Sequence, residues 1–571
     1  MKKRMRILAL LMAIALFCTA LAACTGPQNL QTNPSTTKGQ NKPTDGTDGT
    51  DGTGTTPTPT LPEPTHKNSE IYPLKSDKTF TVVTTNCATL ADAESTVITQ
   101  RIEEATGVKI DWMHMTKDQL SLAITTSEIP DALFLAASSL NKASIYEYGE
   151  QGVFVNFMDY LDIMPNLKAI FEADPSALAA VQNEDGSVYV LPQHTVSNTG
   201  ANNMIYYRTD MMKAAGWDKA PATTDEFIQF CKDLQAHYGA TDPEFIAFNA
   251  YAPNVFGWNA AWSPQYFFAS FGELVVQDIQ VNSKGEVVLG AATEQFRHYL
   301  EFMNELWNTG AFNTNIYTQD ATASQGLNAG NHVAISGRNN GFSKDQFASG
   351  NLELDVMAPL TSEYWGTQHW YLKSAWGLGN CMLSAKCADI ETMCKWFDAF
   401  YAPYDNPLNE EGTLWGAMPF FGEAGVDVDL NEGTMVYTVL DHEGIETSTF
   451  LAKQGFGQSL FNGWMDGFKY SQDPNTTVGV KAQGTVKNLW PYAETPVVRN
   501  DMSLDTDEAD IYNEKWPDIN TYITQMTAKF ISGELEINDA NWNNYLSELN
   551  KMGLADVLEA YTAAYERYIE K

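Results

Sequence analysis

Thr79-Phe80-Thr81-Val82-Val83-Thr84 is a β-branched run in which polar and apolar positions alternate, and it predicts a strand. A helix over about 91–106 follows and ends at Gly107, after which Val108-Lys109-Ile110-Asp111-Trp112 predicts the next strand. After another helical stretch, Pro130-Asp131-Ala132-Leu133-Phe134-Leu135 predicts a turn into a buried strand. Alternating strands and helices are typical of a parallel sheet covered by helices, so the sequence predicts an α/β fold. Ligands of such sheets lie beyond the carboxyl ends of the strands.

Longer motifs along the chain resemble those of a known family. In chain order they are Glu103-Glu104-Ala105-Thr106-Gly107-Val108, Ile129-Pro130-Asp131, Gly149 to Phe154, Met164-Pro165-Asn166, Asp185 to Pro192, Tyr207-Arg208-Thr209-Asp210-Met211, Gly216-Trp217, Pro221 to Phe227, Phe530-Ile531-Ser532-Gly533-Glu534, Trp542 and Leu554 to Tyr568. This series resembles the extracellular solute-binding proteins of family one. It is most similar to the lipoprotein branch that serves ABC-type oligosaccharide importers of Gram-positive bacteria.

The resemblance implies a two-lobed, periplasmic-binding-protein-like fold with a ligand cleft between the lobes. Lobe one is expected to comprise 73–192 and about 370–485, and lobe two 193–369 and about 486–571. The implied ligand is an oligosaccharide, and the implied partners are the permease subunits of an ABC transporter. The expected form is a monomer.

One family motif also has the features of a helix start. Thr223 and Glu226 fit a capping box, in which each side chain accepts a hydrogen bond from the other residue's backbone N–H. The predicted helix places four apolar residues on one face: Phe227, Phe230, Cys231 and Leu234.

The first 23 residues have the layout of a secretory signal peptide, with four basic residues before an apolar run from Ile7 to Ala23. Leu21-Ala22-Ala23-Cys24 resembles the lipobox of bacterial lipoproteins, which implies that Cys24 is lipidated and becomes the mature N-terminus. A plain membrane-anchoring helix is the alternative, because the run approaches the length that spans a bilayer. The lipobox favours a protein held on the extracellular face of the cell membrane by its lipid anchor alone.

The segment 24–72 is rich in Thr, Pro, Gly and Asp and includes the Asp-Gly-Thr triplets of 45–53. Almost nothing in it can be buried, so we interpret it as a disordered spacer and not as a set of calcium-binding triplets. A flexible chain of this length has an end-to-end distance of roughly 40 Å.

The composition excludes some partners. The formal net charge is -36, and about -40 once the four basic residues of the signal are removed, so the surface repels phosphate backbones and nucleic acid is excluded as a partner.

Five cysteines remain once Cys18 of the signal and the lipidated Cys24 are set aside: Cys87, Cys231, Cys381, Cys387 and Cys394. They lack zinc-site spacing and are interpreted as buried free thiols, while one disulfide among the last three stays open.

Two aromatic-rich stretches, 251–271 and 364–376, lack a clear helical or strand period. Aromatic faces stack on sugar rings, although the commoner fate of any one such ring is the core. Strand 333–335 leads to Arg338, a candidate for hydroxyl or uronate contacts or for neutralising a neighbouring acid. The predicted ligand contacts are Asn86, Trp258, Trp262, Tyr266, Arg338, Trp365, Trp370 and Trp376.

Signature motifs of nucleophilic, metal-dependent and nucleotide-dependent enzymes are absent from the sequence, so a non-enzyme without cofactor is predicted. Relatives often carry a calcium loop after the helix that starts near Thr224, but here only Asp242 and Glu244 offer carboxylates, so no metal is predicted. Two alternatives stay open: a secreted carbohydrate-active enzyme, and a ligand-sensing accessory protein of a membrane kinase.

The anchor is tested by Cys24→Ser. This change removes the only acylated thiol that the lipobox implies, so the protein should be released or left unprocessed while its ligand affinity stays the same. Cell fractionation followed by mass spectrometry of the N-terminus measures both effects. Finding the mature, processed variant in the membrane fraction would contradict the lipobox interpretation.

Overall fold

The computed structural model describes residues 66–85, 97–134, 142–183, 185–194, 204–250, 264–337, 342, 346–347, 349, 352–371, 376–403, 405–410, 428–431, 436–439, 469–470, 480, 483–494 and 496–570. The predicted signal, Cys24 and nearly all of the spacer lie outside these residues. Within them, no helix combines the length and the apolar character needed to cross a bilayer.

The first part of the described chain alternates helices and strands as predicted. Its elements are α1 Asn68–Ile71, β1 Thr79–Thr84, α2 Val97–Thr106, β2 Lys109–His114, α3 Lys117–Thr125, β3 Ala132–Leu133, α4 Lys142–Glu150, α5 Pro165–Ala173, α6 Pro175–Val181 and β4 Pro192–His194. Gly107 ends α2 with a φ of 70°, and a Cβ there would lie 2.6 Å from the carbonyl oxygen of Leu74. Glycine is therefore required at this position by both conformation and space.

The middle of the chain contains β5 Tyr206–Arg208, α7 Thr209–Ala214, α8 Thr224–Tyr238, β6 Ile246–Asn249, β7 Ile279–Val281, β8 Val287–Leu289, α9 Glu294–Asn308, α10 Ala321–Ala329, β9 Val333–Ser336, β10 Leu354–Val356 and β11 Trp370–Tyr371. Helix α8 confirms the predicted start and buried face, but only half of the capping box forms. The Thr223 hydroxyl accepts from the N–H of Glu226 at 3.2 Å, whereas the Glu226 carboxylate accepts from Ala222 at 2.7 Å, one residue earlier than predicted.

The last part begins with two short strands and ends with three helices. Its elements are β12 Trp376–Leu378, β13 Met382–Leu383, α11 Ile390–Asp398, β14 Val428–Asn431, β15 Val436–Val439, β16 Lys469–Tyr470, β17 Ala493–Glu494, α12 Thr506–Ser532, α13 Asp539–Lys551 and α14 Leu554–Glu570.

Two four-stranded sheets organise these elements. The first has the order β13-β3-β1-β2, in which β1 is parallel to β2 and β3, and β13 is antiparallel to β3. The second has the order β10-β5-β9-β6, in which β9 is parallel to β6 and β5 is antiparallel to both of its neighbours. The predicted parallel core is thus present in the first sheet, but a strand from a distant part of the chain completes it.

Buried apolar residues form two separate clusters, one around each sheet. We call the regions built on them the first lobe, which contains β1, and the second lobe, which contains β5. Among the described residues, cluster membership changes at three points: between Leu191 and Met204, between Trp370 and Trp376, and between Leu408 and Val480. The chain therefore crosses between the lobes at these points, while the limits of the lobes given above remain a prediction.

The described cysteines confirm the free-thiol interpretation. Cys231, Cys381, Cys387 and Cys394 are buried and none of them is in a disulfide, and Cys87 lies outside the described residues. Burial raises the pKa of Cys387 to about 12, so little reactive thiolate forms there at neutral pH.

A buried polar network fixes the start of the folded body to the first lobe. The Asp398 carboxylate accepts from the backbone N–H of Asn166 at 3.3 Å and of Leu167 at 2.8 Å, and thus caps α5 from a distant part of the chain. The side-chain amides of Asn166 and Asn68 bond each other at 2.9 and 3.0 Å. Asn68 also donates from its backbone N–H to the Asn406 side chain at 3.0 Å. Helix α1 lies within the segment 24–72 that was predicted to be a spacer, so the folded body begins before residue 72, and two distant residues, Asn166 and Asn406, hold its start.

Replacing Asp398 by Asn should destabilise the protein by about 1–3 kcal/mol, because both oxygens of Asp398 accept from N–H donors, whereas the amide nitrogen of Asn cannot accept. Burial raises the pKa of Asp398 from 3.8 to about 7, so the folded state holds its proton over a pH range in which the unfolded chain has lost it. The stability that Asp398 contributes is therefore greatest at low pH and is lost as the pH rises through about 7. Thermal unfolding at pH 5 and pH 8 should show a larger gap between wild type and variant at pH 5; a larger gap at pH 8 would contradict the raised pKa.

Candidate functional site

The crossings are fixed by two short strand pairs. On the first-lobe side, β4 and β12 are antiparallel, with Trp376 opposite His194 and Leu378 opposite Pro192. On the second-lobe side, β11 and β17 are parallel, with Trp370 opposite Ala493. We call these two pairs the hinge strands, because the chain passes between the lobes immediately next to each of them. In two-lobed proteins a cleft beside such crossings is where a ligand is enclosed by both lobes.

Trp376 lies at the first-lobe end of a crossing and is only 4% exposed. Its indole Nε1 donates to the Asp174 carboxylate at 2.7 Å, and the same carboxylate caps α6 by accepting from the N–H of Ser176 at 3.0 Å. The ring is therefore packed in the first lobe and holds a helix terminus in position. In this conformation it leaves little surface for a ligand.

Trp370 and Tyr266 lie in the core of the second lobe, where they are 2% and 5% exposed. The Tyr266 hydroxyl donates to the carbonyl of Met357 at 2.6 Å, which ties the short helix Pro264–Phe271 to the end of β10. These two predicted ligand contacts thus serve packing in the structure described.

Among the four predicted contacts that the structure describes, Trp365 is the one that belongs to neither core. Its backbone N–H donates to the Ser362 hydroxyl at 3.2 Å, and that hydroxyl donates to the carbonyl of Ser270 at 2.6 Å, so the turn is anchored to the core helix. The indole stacks on the imidazole of His369, with ring centroids 5.7 Å apart and 28° between the planes. The turn therefore presents Trp365 next to the hinge strand β11.

His369 and Glu494 join Trp365 in the structure, although sequence reasoning named neither. Because β11 and β17 pair with Tyr371 opposite Glu494, the Glu494 side chain is brought next to His369. His369 Nδ1 and the Glu494 carboxylate form a hydrogen bond, and the His369 side chain is only 10% exposed. His369 lies inside the aromatic stretch 364–376, but Glu494 is 125 positions away, and no local pattern in the sequence connects the two residues.

Four predicted ligand contacts lie outside the described residues: Asn86, Trp258, Trp262 and Arg338. Their roles remain predictions. The described candidate site therefore consists of Trp365, His369 and Glu494 at the hinge strands, with Trp370 and Trp376 as buried supports.

The two carboxylates of the stretch compared above with a calcium loop both contact one histidine. Asp242 contacts His332 Nδ1 at 2.7 Å and Glu244 contacts His332 Nε2 at 3.2 Å, so both carboxylates face the same imidazole. The hydrogen bond from His332 lowers the pKa of Asp242. Calcium requires six to eight oxygen ligands, and no group of three or more His, Cys, Asp or Glu residues suited to a metal occurs among the described residues.

Two α/β lobes joined by repeated crossings define the class of periplasmic-binding-protein-like folds. The family described as bacterial extracellular solute-binding protein matches residues 98–395, which is more than half of the 571-residue chain. The chain belongs to this family, and the predicted family is thus confirmed.

Two relatives show how widely the similarity extends. The fructooligosaccharide ABC transporter substrate-binding protein FusA of Streptococcus pneumoniae is 24% identical over 516 residues, which cover 87% of this chain and 92% of FusA. The structure of FusA in complex with kestose has a TM-score of 0.69 at 21% identity, covering 86% of this chain and 100% of that chain. A solute-binding protein of Bifidobacterium longum infantis, described as binding HMO and associated with an ABC transporter, has a TM-score of 0.70 at 17% identity and covers 86% of this chain and 99% of that chain. At these identities the structures establish a shared fold.

The arrangement around His332 makes a prediction about metal dependence. Because Asp242 and Glu244 are engaged by His332, dialysis against EDTA and subsequent addition of calcium should both leave the melting temperature unchanged. Differential scanning fluorimetry with His332→Ala as a control variant measures this. A calcium-dependent rise in the melting temperature of the wild type would overturn the interpretation of this stretch.

Proposed function

We propose that this protein is a lipid-anchored extracellular solute-binding protein that captures an oligosaccharide and delivers it to an ABC importer. Family membership supports solute capture outside the cell. The proposal of an oligosaccharide and an importer is supported by the relatives, whose descriptions name fructooligosaccharide, kestose and HMO as ligands and an ABC transporter as partner.

The observation that carries the proposal is the position of the Trp365–His369 pair beside the hinge strands. The pair combines a flat aromatic surface with polar ring atoms, which is the combination that a sugar requires: rings stack on its apolar face, and polar atoms bond its hydroxyls. Trp370 directly follows His369 and is fixed in the core, so the pair is held on a rigid support.

We extend the proposal to the way in which the protein is held at the cell surface. Lipidation at Cys24 would tether it to the outer leaflet, and more than one acyl chain gives a stable anchor. The residues from Cys24 up to the folded body, whose described part begins at His66, would then act as a spacer between the lipid and that body. The charge of the mature chain, about -40, keeps the body away from anionic headgroups.

A binding protein and a carbohydrate-active enzyme are separated by the fate of the sugar. We expect the purified protein to bind an oligosaccharide and return it intact, because the motifs of the chain match a family that captures solutes. Chromatography of the sugar after prolonged incubation is the measurement, and shortened products would favour an enzyme.

Single substitutions of tryptophan residues test the oligosaccharide proposal. We expect a bound oligosaccharide to change tryptophan fluorescence, and at least one of Trp258→Ala, Trp262→Ala and Trp365→Ala to weaken binding about thirtyfold without lowering the melting temperature of the free protein. Trp370→Ala and Trp376→Ala serve as controls, because loss of a buried ring should lower that melting temperature. If all three test variants bind normally, stacking on these rings does not hold the ligand.

A further inference from the structure

Two buried polar atoms beside the hinge strands, Trp365 Nε1 and His369 Nε2, have no hydrogen-bond partner among the residues that the structure describes. Buried side-chain donors and acceptors are nearly always paired in folded proteins, so an unpaired one calls for an explanation. Here the two atoms belong to rings that stack on each other at 5.7 Å. Because the rings are adjacent, one saccharide that reaches either ring also reaches the other.

The hydrogen bond to Glu494 determines what His369 offers. A carboxylate only accepts, so His369 Nδ1 carries the proton in this bond. In a neutral imidazole the other nitrogen, Nε2, is then an acceptor. Trp365 Nε1 is always a donor, because indole has no acceptor lone pair. The stacked rings thus present one donor and one acceptor side by side.

We propose that Trp365 and His369 form a receptor for an uncharged sugar hydroxyl, with Glu494 as the residue that sets the tautomer of His369. The inference rests on the function proposed above and assigns the ligand to neutral oligosaccharides. A hydroxyl both accepts and donates, so it pairs with Trp365 Nε1 and His369 Nε2 at once. A uronate carboxylate only accepts, and it would meet the lone pair of His369 together with the negative charge of Glu494.

The surroundings of the pair support a neutral ligand. Glu494 is 48% exposed and its other described contacts bring no lysine or arginine, so its negative charge remains at the site. The chain as a whole has a formal net charge of -36, which disfavours the approach of acidic glycans at low salt.

Access to the pair follows from its position. Both nitrogen atoms are covered in the conformation described, and His369 directly precedes hinge strand β11. Relative movement of lobes takes place at such crossings, so opening of the lobes brings the pair into contact with solute. Closing around a hydroxyl then leaves neither atom unpaired.

The test uses the full chain, purified in detergent. Its affinity for neutral tri- and tetrasaccharides, including kestose, is compared with its affinity for trigalacturonate. The wild type should bind at least one neutral sugar and prefer it to trigalacturonate. Trp365→Phe and His369→Phe keep the stacked rings but remove the polar atoms, so each should weaken the neutral sugar about tenfold. The double variant should lose less than the product of the two losses, because one hydroxyl serves both atoms.

Two further variants separate recognition from folding. Glu494→Gln no longer selects one tautomer of His369, so it should reduce the preference for the neutral sugar. Trp542→Phe is the matched control: the Trp542 indole donates to Glu294 at 2.8 Å within the same lobe, so its loss should lower the melting temperature and leave affinity unchanged. Trp365→Phe should not lower the melting temperature of the free protein, because it removes a donor that has no partner.

The outcomes distinguish the two levels of the proposal. If a neutral sugar binds and both Phe variants keep wild-type affinity, the hydroxyl receptor is wrong and the oligosaccharide proposal stands. Tighter binding of trigalacturonate also overturns the receptor. A melting temperature lowered by Trp365→Phe as much as by Trp542→Phe would show that a buried water already serves the indole, which again overturns it. If no sugar binds the wild type, the proposed function falls and this inference falls with it.

Discussion

The backbone pairing of β4 with β12 is the constraint on which the arrangement of the lobes depends. These strands leave and re-enter the first lobe side by side, so two crossings start from one hydrogen-bonded ladder. The ladder is extended at the end where Leu378 faces Pro192, because the N–H of Leu191 donates to the carbonyl of Cys381 at 3.0 Å and the N–H of Gly379 donates to the carbonyl of Leu191 at 2.8 Å. The Tyr401 hydroxyl adds a bond to the carbonyl of Pro192 at 2.7 Å. Motion between the lobes is therefore confined to the segments beyond the ladder, where a ligand has access to both lobes.

A partly buried ion pair joins two segments of the second lobe. Arg499 follows β17 closely and contacts the Asp278 carboxylate at 2.8 Å, with its guanidinium 5.0 Å from the ring centre of Trp516 in α12. Burial raises the pKa of Asp278 although Arg499 opposes this, so the pair is costly to form and would be more costly to break. The contribution of the Arg499–Asp278 pair is to position a segment. It ties the segment that carries Glu494 to helix α12, and Glu494 is thereby held against His369.

Local chemistry made part of this structure predictable, and distance in sequence hid the rest. The strand Thr79–Thr84, the glycine at 107 and the start of α8 follow from side-chain alternation, a left-handed residue and a Thr N-cap, each of which acts within a few residues. The capping of α5 by Asp398 and the pairing of β13 with β3 join segments far apart, and no local pattern encodes them.

The candidate site shows the same limit of sequence reasoning. Among the aromatic residues, composition could not separate Trp370 and Trp376, which complete two cores, from Trp365, which does not, because burial depends on what packs against a ring.

Residues that form the cores and residues that contact the ligand are under different constraints, which explains how relatives of low identity keep one fold. Solved structures with 17–21% identity superimpose with TM-scores of 0.69–0.70, so the fold tolerates extensive substitution. Apolar cores tolerate such change when volume and pattern are kept. A donor and an acceptor on adjacent rings do not tolerate substitution in the same way, because losing either atom changes which ligand group can form a hydrogen bond there. Ligand choice in this chain is therefore expected to depend on a few polar atoms beside the hinge strands, held in place by aromatic rings whose main contribution is to the cores behind them.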